Sequence, residues 1–189
     1  MDKSYFYKFY PKKYPYKTII FGLESALYQD IKPYDERIKN KILNSGVIGK
    51  TTIKSRVANK IINPKRSSWY FYKLRTLCNK LKYVEHARDI EKKYKKKDYS
   101  YILSQYRAAI GATTFYPTIK YWEISASGCL AFLEITKENQ GEYLGYKDNE
   151  TAIFINEKNY EKKFKKYLND LDDPKWREIA QKGQKYTMN

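Results

Sequence analysis

Histidine occurs once in this chain, as His86, and cysteine twice, as Cys78 and Cys129. That scarcity argues against a metal site: no second histidine or cysteine lies near His86, and the cysteine spacing suits none. One cysteine pair gives no disulfide framework, and both cysteines fall in apolar stretches, so a reducing cytoplasm is the compartment that fits. The N-terminus lacks the apolar core of a signal peptide. No window approaches the run of about 18 apolar residues that a membrane span needs. The chain therefore reads as soluble, with docking on a membrane surface left open. Internal repeats are missing. Acids are scarce beside bases: 21 Asp and Glu against 38 Lys and Arg, a formal net charge of +17. Such an excess attracts polyanions (nucleic acid, an anionic membrane face, phosphorylated substrates) or is simply a solvated lysine-rich surface. The lysines are spread along the chain rather than held in one block, and both readings stay open.

What is present suffices for one good-sized domain. The chain has 189 residues, 42% of them apolar, with 21 tyrosines and three tryptophans to add bulk. Residues 1–16 read as an irregular arm, 17–22 as a strand or its remnant, and 23–40 as a linker or short helix. The domain proper is expected over 41–189, after an arm or linker remnant at 1–40. Residues 41–46 read as a buried strand ending in a turn, and 47–66 as a basic segment. Phe71, Leu74, Leu77, Cys78 and Leu81 sit at helical spacing and predict a helix over 68–81. A short strand follows at 83–86. The lysines of 92–97 form a solvated loop or helix end, and Asp98 can cap a helix holding Tyr101, Ile102 and Tyr106. Residues 108–111 form the next strand. The stretch 120–134 reads as a short helix, a glycine turn and a buried strand at 130–133; another strand is expected at 151–155.

The tail is helical twice. Tyr160, Phe164, Tyr167, Leu168 and Leu171 form one apolar helix face. Asp173-Pro174 is an N-cap followed by proline at the first helical position, with Trp176, Ile179 and Ala180 facing inward and Gly183 ending the helix. Strands alternating with helices predict an α/β fold, a Rossmann-like parallel sheet with helices on both faces. Ligands of such sheets bind beyond the carboxyl ends of the strands. That edge holds 46–50, His86, 111–116 and 129–134, with Glu123 on a helix just after it.

Residues 45–52 first look like a nucleotide P-loop, but the required first glycine of that pattern is Asn44. A milder reading is that Gly46 lets the backbone approach a phosphate and Lys50 neutralises it; the rival is an ordinary turn beside a surface lysine. His86 is a catalytic base or substrate contact on one reading, a structural histidine on the other. Glu123 is the one carboxylate in a largely apolar helix, beside a helix N-terminus of the kind that attracts phosphate. Its carboxylate can accept hydrogen bonds from two vicinal sugar hydroxyls. It can equally be a surface glutamate paired with Lys120, worth roughly a few tenths of a kcal/mol. Position alone leaves these two readings comparable.

The flanking pattern adds a further argument. Lys120, Tyr121-Trp122, Glu123, Ser125-Ala126-Ser127-Gly128-Cys129 and the strand from Leu130 to Leu133 follow one another in order. This resembles the C-terminal nucleotide-sugar-binding domain of GT-B-fold glycosyltransferases, in the group related to group 1 and spore-maturation CgeB-like transferases. Ser45-Gly46, Tyr72-Lys73-Leu74-Arg75, Tyr106-Arg107, Leu144-Gly145-Tyr146 with Asp148-Asn149, and Asp173-Pro174 through Gly183 extend the resemblance from about residue 40 to the end. It implies half of a GT-B fold and a domain that binds a nucleoside diphosphate sugar as donor substrate, with no further cofactor and no metal. By position, Glu123 would hold the nucleotide ribose, and backbone N–H groups near Thr118 and Ile119 the diphosphate. Lys50 and Arg75 would stabilise the departing nucleoside diphosphate, Lys120 is the motif's basic residue, and residues 113–116, including Thr114 and Tyr116, would flank the base or ribose.

Two departures from the family pattern are plain. Many group 1 transferases carry a second glutamate eight positions before the ribose-binding one, and here that position is Phe115. Residues 1–40 are also too short for the acceptor domain that usually supplies the catalytic base, so the chain is expected to be an excised C-terminal half, a subunit that depends on a separate acceptor-binding domain or subunit as partner, or a degenerate remnant. An anionic membrane surface is a compatible second partner, since lipid-linked acceptors are common in the family. The rival function is a basic nucleic-acid-binding module without catalytic activity, resting on the charge and on tyrosines interleaved with lysines. It ranks below the first because no RNA- or DNA-binding motif is present.

Overall fold

Five short apolar segments pair into one parallel sheet. In the computed structural model, which describes residues 7, 10–15, 22–49, 52–54, 57, 61, 68–86 and 99–189, these are β1 (Ile38–Asn44), β2 (Val84–His86), β3 (Tyr106–Gly111), β4 (Leu130–Glu134) and β5 (Ile153–Ile155). Their order across the sheet is β2-β1-β3-β4-β5, every pairing parallel. Every residue of β3 and β4 is buried. Strands covered on both faces have no solvent side, which is why these read as near-continuous apolar runs.

The two-residue period of the strands divides the core in two. On one face Ala108, Ile110, Leu130, Phe132, Ile153 and Ile155 pack with Leu74, Cys78, Phe164, Tyr167 and Trp176. Those side chains come from helices α2 (Lys73–Cys78, just after the single-turn α1 at Ser68–Phe71), α5 (Tyr160–Leu168) and α6 (Pro174–Met188). On the other face Leu43, Ala109, Ala131 and Leu133 pack with Ile102, Leu103, Tyr121 and Ile124, carried by α3 (Tyr99–Ser104) and α4 (Lys120–Ala126). The fold is thus the expected α/β parallel sheet with helices on both faces.

Several boundaries differ from expectation. The helix expected over 68–81 is broken at Tyr72, whose backbone (φ −122°, ψ 34°) leaves the helical region between α1 and α2. Tyr106 opens β3 instead of lying on the preceding helix, which ends at Ser104. α6 runs through Gly183 to Met188. Gly183 is there for closeness: a Cβ would lie 2.3 Å from the Thr151 carbonyl oxygen. β1 begins at Ile38, so the division expected at residue 41 falls inside it. The residues just before it pack on the domain: Tyr28 lies in the core, and Arg37 donates from Nη1 to the Ser127 carbonyl at 2.8 Å. The lysines of 92–97, Asp98 and, apart from Gly22, the segment 17–22 lie outside the described residues.

Candidate functional site

The strand order reverses direction between β1 and β3. The connection leaving β1 runs to α2 on one face, while the one leaving β3 runs to α4 on the other, the switch point at which open α/β sheets place their ligand crevice at the carboxyl edge. The residues beside this switch point decide what the fold can bind.

Gly46 follows β1 with φ 98°, a conformation an L side chain rarely adopts. A Cβ there would lie 2.6 Å from Arg75 Nη1 and 3.3 Å from Lys120 Cε. Three of the expected site residues, Gly46, Arg75 and Lys120, therefore meet, from the loop after β1, from α2 and from α4. His86, the last residue of β2, holds this loop through Nε2, which is 2.8 Å from the Gly46 carbonyl oxygen. That contact ties the end of β2 to the turn after β1.

Arg75 is only 3% exposed. Nη1 donates to the Val47 carbonyl at 3.0 Å, and the Tyr72 ring lies 5.1 Å from the guanidinium carbon. Nε and Nη2 are buried with no hydrogen-bond partner among the described residues. Burial drives its pKa down, opposed by Tyr121, Tyr99, Tyr72 and Glu134. Across the crevice, Lys120 Nζ lies 3.7 Å from the centre of the Tyr99 ring, and the Tyr99 hydroxyl donates to Ser45 Oγ.

Glu123 stands in the first turn of α4, its side chain 19% exposed. Burial raises its pKa, against the Lys120 charge and a hydrogen bond from the Tyr28 hydroxyl. Lys120 Nζ is 3.9 Å from Glu123 Oε2, a buried oxygen with no hydrogen-bond partner among the described residues. The expected helix pair with Lys120 is thus present. Thr118 Oγ1 is likewise buried without a partner among the described residues, and Ile119 is the N-cap of α4, its carbonyl accepting from Trp122 and Glu123 N–H.

The remaining expected residues are placed differently. Thr114 is committed to α1: its N–H donates to the Phe71 carbonyl and its hydroxyl to the Tyr70 carbonyl. Tyr116 is 54% exposed, its ring edge-on to Phe71. Phe115 packs against Tyr70 and Phe71. Lys50 lies outside the described residues.

One group was not singled out in advance. Glu134 ends β4, 6% exposed, with Oε2 buried and without a hydrogen-bond partner among the described residues. Burial pushes its carboxyl up to about 7; Glu157 and Glu138 add to the shift, while Arg75 and the Thr113 backbone oppose it. Its backbone is clamped. Tyr121 Oη donates to the Glu134 carbonyl at 3.0 Å and accepts from Thr113 N–H at 3.1 Å, and Asn139 Nδ2 donates to the Glu134 carbonyl at 2.5 Å. The signal was present in the sequence: Leu130, Phe132 and Glu134 share a face by strand alternation, so an acid continues a buried row.

The edge thus carries two cations, Arg75 and Lys120, that meet at Gly46, with Glu123 paired to Lys120. Cations of this kind hold an anion, and ionised carboxylates accept from hydroxyls. Among the described residues, no group of three or more His, Cys, Asp and Glu is placed to hold a metal ion, and no helix is long and apolar enough to cross a membrane. In comparisons with known proteins, no family model and no curated protein matches the chain.

Proposed function

We propose that this chain is the donor-binding domain of a glycosyltransferase, taking a nucleoside diphosphate sugar at the β1/β3 switch point. The observation that carries the reading is Arg75, a buried guanidinium with two unpaired nitrogens, pressed against a glycine that leaves no room for a side chain. A buried, unpaired cationic donor costs stability unless a ligand or water completes its hydrogen bonds. A diphosphate supplies the acceptors, and Lys120 adds a second charge at the same place. Glu123 would take the ribose hydroxyls on the α4 side. During transfer, Arg75 and Lys120 would balance the charge on the departing nucleoside diphosphate. The acceptor and the base that activates it would come from a separate domain or subunit.

The reading as a nucleic-acid-binding module draws on the +17 charge. Weighing against it, Tyr28, Tyr106, Tyr121, Tyr146, Tyr160 and Tyr167 are buried and present no ring to stack on bases. Titration calorimetry of the folded protein with UDP, GDP, their sugar conjugates and pyrophosphate tests the proposal. Binding of a nucleoside diphosphate is expected, weakened about tenfold by Glu123→Ala, with pyrophosphate affinity unchanged by that substitution. A folded sample that binds none of these ligands would overturn it.

A further inference from the structure

We propose that the connection between β1 and α1 docks this protein on an anionic membrane face, with Ile53, Val57 and Ile61 laid into the boundary between lipid headgroups and acyl chains. The inference does not depend on the donor-binding reading. The connection is an excursion whose ends meet. At its start, a Cβ on Gly49 would lie 2.7 Å from Trp69 Cα and 3.0 Å from the Ser68 carbonyl oxygen, and the Gly49 N–H donates to Thr76 Oγ1 at 2.7 Å. Residues 50–67 therefore leave the carboxyl edge just after Gly46 and return to the same point. Of these, Thr52, Ile53, Lys54, Val57 and Ile61 are among the described residues.

Ile53, Val57 and Ile61 are helical and spaced by four, so they share one stripe. They are 80%, 53% and 76% exposed and stand outside both cores. A single exposed aliphatic side chain needs no partner, but three in one stripe present an apolar face to water. The charge around the stripe names what covers it. From Arg37 to Val84 the chain carries 13 Lys and Arg and no Asp or Glu. Lys50, Lys54, Arg56, Lys60, Lys65 and Arg66 all lie in the excursion. Lys54, next to Ile53, is helical and exposed. An aliphatic stripe among basic residues matches an anionic bilayer, whose headgroups take the charge and whose acyl boundary takes the apolar side chains. Nucleic acid would satisfy the cations and leave the stripe wet. A second copy would bring a like-charged, acid-free face against this one. Membrane docking also sets the carboxyl edge, where Gly46, Arg75 and Lys120 meet, beside the lipid surface.

The test is co-sedimentation of the full chain with vesicles of phosphatidylcholine alone and of phosphatidylcholine with about 30% phosphatidylglycerol, in about 0.15 M salt. The wild type is expected to bind the anionic vesicles and not the neutral ones. A triple variant, Ile53→Ser with Val57→Ser and Ile61→Ser, should bind them at least about tenfold more weakly while its melting temperature stays the same. Lys54→Gln should bind about fivefold more weakly. No binding to anionic vesicles, or equal binding to neutral ones, would overturn the proposal. So would a triple variant that binds like wild type, because charge alone would then hold the protein, or one that melts lower, because the stripe would then be packed within the fold. Capture of duplex DNA or RNA at the same salt with vesicles left unbound would overturn it in favour of nucleic acid. A dimer in sedimentation velocity that the triple variant dissolves would overturn it in favour of a second copy. Nucleoside diphosphate binding is read separately by calorimetry, so the donor-binding reading stands or falls apart from these outcomes.

Discussion

Replacing Glu134 by glutamine should stabilise the protein, and by an amount that depends on pH. The carboxyl's value rises from the ordinary 4.5 to about 7 on folding, with burial the largest cause. A folded-state value above the unfolded one means that the native protein holds its proton more tightly. Between pH 4.5 and about 7 the native state therefore binds more protons than the unfolded chain, and stability falls as pH rises through that window. Each unit corresponds to about 1.4 kcal/mol, so ionised Glu134 costs roughly 3 kcal/mol above pH 7 and nothing below pH 4.5. Glutamine mimics the neutral form. The variant should match wild type near pH 4 and exceed it by roughly 3 kcal/mol near pH 8, a melting shift of about 6–12 °C for a chain this long. Urea denaturation of both proteins across this range is the assay, with m-values compared to confirm that the same transition is followed. A stability difference that stays constant with pH would refute the reasoning. So would a glutamine variant less stable than wild type near pH 8, because the carboxylate would then be a stabilising group. The expected result would also mark Glu134 as a charge the fold does not keep for stability.

Other perturbations probe the frame around that edge. Phe132 is fully buried, edge-on to Phe164 at 4.9 Å and to Tyr167 at 5.9 Å, so Phe132→Ala should lower unfolding free energy by about 3–5 kcal/mol in urea titration. Asp173 accepts from Lys175 N–H at 2.9 Å as the N-cap of α6, and Asp173→Ala should cost about 1 kcal/mol by the same measurement. Gly46→Ala forces a side chain into φ 98° and against Arg75; about 1–3 kcal/mol should be lost, together with diphosphate binding in calorimetry. Tyr121→Phe leaves the Thr113 N–H without its acceptor, for a loss of about 1–3 kcal/mol and faster hydrogen exchange at that amide.

Local signals carried much of the fold into the sequence. Asp173-Pro174 marks the start of α6 because an N-cap oxygen and a proline act within one helical turn. The apolar face of Tyr160, Phe164 and Tyr167 marks α5 because a 3.6-residue period is itself local. A continuous apolar run marked β4, and a glycine after an apolar strand marked the turn at Gly46. The break at Tyr72 and the passage of α6 through Gly183 were not legible. The first depends on how α1 and α2 lie over the loop after β1, where Gly49 N–H donates to Thr76 Oγ1 at 2.7 Å. The second depends on the Thr151 backbone that α6 approaches.

The candidate site divides the same way. From the sequence alone came a parallel α/β sheet, the carboxyl edge at which sheets of this kind bind ligands, and Gly46, Arg75, Lys120 and Glu123 as candidate residues. The strand order β2-β1-β3-β4-β5, which places the crevice between β1 and β3, is decided by pairing between segments far apart in the chain. So are the approach of Arg75 and Lys120 to Gly46, the turning of Thr114 toward α1, and the burial of Glu134 with an open oxygen. The reason is physical. Propensity and periodicity act over a few residues, whereas desolvation and the completion of a polar group's hydrogen bonds depend on whatever the tertiary fold brings alongside it.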